Sequence, residues 1–268
     1  MARDSAAMKL AALLPGLALV CGCATHPITG REQILALPAV QVAHADVGFA
    51  LSTGARLIAA PPPCEQDCGS VEGQAKFAGR VETIGAQLET PARSMSPELF
   101  ERIDRFQVEV NETLGVGTAS SAGGRIALGS ELAALQPTDT VIAFLLAREM
   151  AHVIARHAEE NSGAAIVTSV LCVLLPGISA IARFVASTLA SSALKGSWAT
   201  QQQHEADEIA VALLARTGRS VLSVAFGLES AAKHARLPDN EWGARFVESA
   251  ERVALMAASP PRYAVLAE

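Results

Sequence analysis

The run from Thr140 to about Glu160 constrains the fold most. Its apolar residues recur at helical spacing, Pro137-Thr138-Asp139 supplies a start, and Asn161 and Gly163 supply a stop. A helix of this length must lie against a core, and half the residues of the 268-residue chain are hydrophobic, enough to build one. Alanine is abundant and aromatics are only 4%, which favours packed helices over an aromatic-rich sheet or a base-stacking platform. With 21 Lys+Arg against 27 Asp+Glu and no basic stripe, the charge balance argues against a nucleic-acid partner.

Around that helix the pattern predicts an α+β, predominantly helical protein with a small β-sheet. A helical face runs through Phe77, Val81, Ile84 and Leu88. Phe106 to Val110 alternates like a half-buried strand, and Arg125 to Leu128 is a second strand candidate. A short helix is expected around Gln33 to Leu57, and a last long one from Trp198 to about Thr217, ending before Gly218. Residues 164–194 are apolar, with a break at Pro176-Gly177. They read as a helical hairpin, packed on the domain or dipping into a membrane surface.

The N-terminus reads as an export signal. Lys9 precedes an uncharged run from Leu10 to Val20, too short to span a bilayer, and Met8 is an alternative start. Val20-Cys21-Gly22-Cys23 looks like a lipobox; Cys23 is the better lipid-attachment site because small Gly22 precedes it. The alternative is an ordinary cleaved signal that leaves a free thiol, a liability in an oxidising compartment. Ala24 follows the cysteine rather than Asp, which points to the periplasmic face of the outer membrane in a two-membrane cell. The expected division is 1–22 as lipoprotein signal peptide, 23–74 as lipid-anchored lead-in and 75–268 as the main domain. Within the lead-in, Cys64 and Cys68 flank a loop and make a plausible local disulfide. Cys172 lies in an apolar run and reads as buried.

The chemistry concentrates in Arg148-Glu149-Met150-Ala151-His152. In a His-Glu-x-x-His helix, two imidazoles four residues apart share one face and one zinc, and the glutamate sits beside the metal-bound water as general base. Here an arginine stands first. The motif alone carries no weight, but four segments together resemble the M-48 family of membrane-associated zinc metallopeptidases (HtpX/Oma-like), in its lipoprotein branch. They are Gly22 to Arg31, Gly123 to Leu132, Leu145 to His157, and Gln203-His204-Glu205-Ala206-Asp207 with Leu213 to Gly218. The second is similar to the edge strand and turn before the family's metal helix.

The resemblance implies a zincin-like metallopeptidase fold, zinc as the family's cofactor, Glu149 as general base and His152 as a surviving ligand position. Arg148, Gln203 and Ser259 fall in the other ligand positions, and Asp207 is implied to support the metal site from behind. Gln203 keeps a carbonyl oxygen, whereas a guanidinium stays protonated and offers no lone pair. No zinc is therefore expected. An alternative metal set of His152, His204 and Glu149 or Glu205 is conceivable, although His204 and His157 are expected off the face. Arg148 either replaces the metal as the local cation, pairing with Asp207 and Glu149, or reaches out to solvent.

The resulting expectation is a pseudopeptidase that binds outer-membrane or periplasmic proteins in the old substrate cleft, attached to the membrane by its lipid, with the 164–194 hairpin either packed on the domain or adding a second membrane contact. The alternatives are an active zinc metalloendopeptidase of envelope quality control with a non-standard site, and a purely structural lipoprotein.

Overall fold

In the computed structural model, residues 21–36, 38–54, 71–162, 199–235 and 237–258 are described. The 164–194 hairpin, the Cys64–Cys68 loop, Cys172, Ser259 and the signal segment before Cys21 lie outside them. The chain divides into two units, Met1–Ala45 with Arg156–Gln201, and Asp46–Ala155 with Gln202–Glu268.

In the first unit, β1 (Cys21–Thr25) and β2 (Glu32–Ala36) form an antiparallel hairpin with Cys23 opposite Ile34. The turn is closed by Gly30 N–H donating to the His26 carbonyl and His26 N–H donating to the Arg31 carbonyl, both at 2.8 Å. Gly30 stands at φ 68°. Arg31 then forks onto Glu160 at 2.9 and 2.8 Å, a bidentate pair that ties the turn to helical residues 157–162. The helix expected from about Gln33 therefore starts later. Glu32 to Ala36 pair as strand, and α1 (Pro38–Gly54) begins where proline can occupy a first helical turn.

In the second unit, β3 (Gln107–Asn111), β4 (Thr118–Ser120) and β5 (Arg125–Gly129) form a sheet in the order β3-β5-β4. β5 runs parallel to β3 and antiparallel to β4. Both expected strands are present, but the segment likened to an edge strand is the central one, and β4 takes an edge. The burial pattern agrees, because Ile126, Ala127 and Leu128 are wholly buried. At the end of β5 the backbone of Gly115 comes so close to Gly129 that a Cβ there would sit 1.8 Å from the Gly115 carbonyl oxygen, so only glycine fits.

Helix α2 (Val71–Met95) buries Phe77, Val81, Ile84 and Leu88 and packs on β3 and on α3 (Asp139–Ile154). α3 starts as its sequence predicts, with the Thr138 hydroxyl accepting from Val141 N–H at 3.3 Å. Every residue from Val141 to Ala151 is buried, as for a helix apolar on nearly all faces. It ends six residues before the expected Glu160. Ala155 caps it and Arg156 takes the left-handed conformation at φ 59°, after which helix resumes at 157–162.

α4 covers residues 199–216 and ends as expected at Gly218, whose φ of 80° lets Arg219 N–H reach back to the Leu214 carbonyl at 3.2 Å. It is not the last helix. α5 (Val221–His234) and α6 (Glu241–Ala258) follow and pack on each other, with α5 also against α3. Among the described residues no helix is long and apolar enough to cross a membrane.

Candidate functional site

The site lies within the second unit, where α3, α4, α6 and β4 each bring side chains together. Arg148 and Glu149 are adjacent on α3, and both are buried. Gln203 and Asp207 stand four residues apart on α4, hence on one face. The Arg148 Nε lies 2.8 Å from Asp207 Oδ1, and its Nη2 donates to the Gln203 carbonyl oxygen. The Nε–H is not aimed at the carboxylate, so that contact is a charge pair without a hydrogen bond. Arg148 is only 6% exposed, which excludes the alternative in which it reaches solvent.

Asp207 is wholly buried and carries a second cation. From α6, Arg252 donates through Nε to Asp207 Oδ2 at 2.8 Å, with its Nη2 2.7 Å from the same oxygen. Arg252 also donates from Nη2 to the Ser249 hydroxyl at 3.1 Å and stands 3.7 Å from Glu248. One carboxylate thus lies between two guanidiniums contributed by different helices. Each ion costs several kcal/mol to bury, so the arrangement depends on every partner staying in place.

Glu149 does not join this pairing. Both its oxygens accept from hydroxyls of β4, Oε1 from Thr118 at 2.6 Å and Oε2 from Ser120 at 2.8 Å. Residues two apart on a strand point to the same side, which is how three residues of edge strand reach both oxygens. His152 is half-buried, one helical turn beyond Arg148. His204 is exposed, and His157 is buried in the first unit, beyond the break at Arg156. Among the described residues no three His, Cys, Asp or Glu side chains stand close enough to hold a metal ion, including the set of His152, His204 and Glu149 or Glu205.

The sequence brought Arg148, Glu149, His152, Gln203 and Asp207 into view. It missed Arg252, Ser249, Thr118 and Ser120. Thr118-Ala119-Ser120 carried the alternation of a short strand, and the Phe246, Ala250 and Val253 stripe marked α6 as amphipathic, with Ser249 and Arg252 beside it.

A family model described as Peptidase family M48 matches residues 116–256, more than half of the chain and every element of this site. The chain belongs to peptidase family M48. That family is generally zinc-dependent. No curated protein matches the chain. In this M48 chain Arg148 of α3 is a buried guanidinium engaged by Asp207 and Gln203 of α4.

Proposed function

We propose that the chain is a non-catalytic member of family M48. In this reading it is an exported lipoprotein, anchored through Cys23 at the periplasmic face of the outer membrane, that holds envelope proteins in the cleft where active members of the family would cut. The observation that carries the reading is the Arg148 guanidinium, which is buried and paired with Asp207 and Gln203 and which the resemblance aligns with the family's first ligand.

The donor chemistry does not fit a tetrahedral zinc, which needs about three protein ligands with available lone pairs. Arg148 offers none, and the Gln203 carbonyl oxygen accepts from Arg148. Both Glu149 oxygens accept from hydroxyls of β4, which occupies the would-be general base with structural hydrogen bonds. His152 is left as one imidazole in a position where zinc would need companions. Fold outlives chemistry readily, so family membership does not bring cleavage with it.

The test is elemental analysis of the purified chain after exposure to trace zinc, beside a peptide-hydrolysis assay and recovery of copurifying envelope proteins, with Glu149→Gln as control. The expected result is negligible zinc, no hydrolysis, and a copurifying protein retained in the presence of chelator. Stoichiometric zinc with hydrolysis that Glu149→Gln abolishes would establish an active metalloendopeptidase instead. Absence of both activity and partner would leave the structural lipoprotein.

A further inference from the structure

Three helices of the second unit meet at one buried carboxylate. α3 contributes Arg148, α4 contributes Asp207 and Gln203, and α6 contributes Arg252. A zinc ion in a metallopeptidase of this type cross-links helices by drawing imidazole and carboxylate donors onto one positive centre. Arg148 likewise supplies one positive centre between helices, a cation on α3 that holds a carboxylate and a carbonyl oxygen from α4. Arg252 then takes the far oxygen of the same carboxylate, so Asp207 is clamped from both sides and α6 is drawn in as well.

We infer that Arg148, Asp207 and Arg252 form a metal-free clasp that has taken over the cross-linking role of zinc, so that the fold of this unit is closed by a covalently built-in cation and is indifferent to metal. The inference rests on the non-catalytic reading above and deepens it. It also accounts for the neutral Gln203. Its carbonyl oxygen accepts from the guanidinium, while the negative charge goes to Asp207, where two cations share it.

A buried ion pair is weak evidence of net stability, because desolvation offsets much of the attraction. The clasp makes a different claim, that its members depend on one another. Removing Asp207 strands two guanidiniums at once, whereas removing Arg148 as well leaves only Arg252 to be compensated. The signature is non-additivity.

The experiment is thermal unfolding of the full chain as wild type, Arg148→Met, Asp207→Asn and the double variant, each with chelator and with added zinc. Wild-type Tm is expected to be unmoved by either addition. Each single variant should lose about 10 °C, and the double variant should lose clearly less than the two losses added. Additive losses, with wild type still indifferent to zinc, would overturn the clasp and leave the non-catalytic reading standing. A wild-type Tm raised by zinc would overturn both. Arg148→His with Gln203→Glu supplies the second readout, since it exchanges the built-in cation for ligands. Should the single variants not fold, a zinc-dependent rise in Tm in this variant alone supports the clasp, and no rise overturns it.

Discussion

Glu149 shows how a buried carboxylate can be held by two hydroxyl donors. The hydroxyls of Thr118 and Ser120 each give it one short hydrogen bond, and bonds to a charged acceptor are about twice as strong as neutral ones. Ser120→Ala is expected to cost about 1–3 kcal/mol, because it strips one donor from a buried charge. Urea unfolding checks it; a loss within error of zero would mean the bond is replaced by water. This pairing was hidden in the sequence for a physical reason. A hydroxyl partner for an acid leaves no charge pattern, and Thr118 and Ser120 lie about thirty residues from Glu149. The Arg148–Asp207 pair was legible, since opposite charges in two motif positions demand an account. Arg252 was not, because its role depends on where α6 packs.

At the scale of elements, what could be read locally was read. Thr138 marked the start of α3, Gly218 the end of α4, and Phe77 to Leu88 the buried face of α2. Strand order could not be read, because the β3-β5-β4 arrangement comes from parallel pairing of segments that no local signal connects. The break after α3 was equally silent, since an arginine at positive φ is chosen by tertiary context and not by propensity. The β1–β2 hairpin was masked by a competing signal, as Cys21 to Ala24 read as a processing site. Gln136, the exposed left-handed residue that ends the 3-10 turn Ser130–Leu135, invites a gain instead of a loss. Gln136→Gly should stabilise the protein by about 0.5–1 kcal/mol, because glycine meets that φ without a Cβ clash. A lowered denaturation midpoint would show that the Gln136 side chain contributes something beyond the turn.

For the whole molecule, the division into two units means that damage should first be felt where it is made. Arg31 and Glu160 belong to the first unit and carry its bidentate pair. Arg31→Met should therefore speed hydrogen exchange of the β2 amides, Glu32 to Ala36, by at least about tenfold, through loss of a mostly buried ion pair. The amides of β5 in the second unit should keep their protection. Equal loss in both would show that the two open together.

The clasp has a bearing on time as well as on energy. Arg148 and Asp207 stand 59 residues apart in sequence and Asp207 and Arg252 stand 45 apart, and closing loops of that size is entropically costly early in folding. Helices α3, α4 and α6 can form and meet through apolar contacts before three charged groups find their final geometry. Interactions that form after the rate-limiting step leave the folding rate alone and slow unfolding. Arg148, Asp207 and Arg252 would then act as a latch on the lifetime of the folded state.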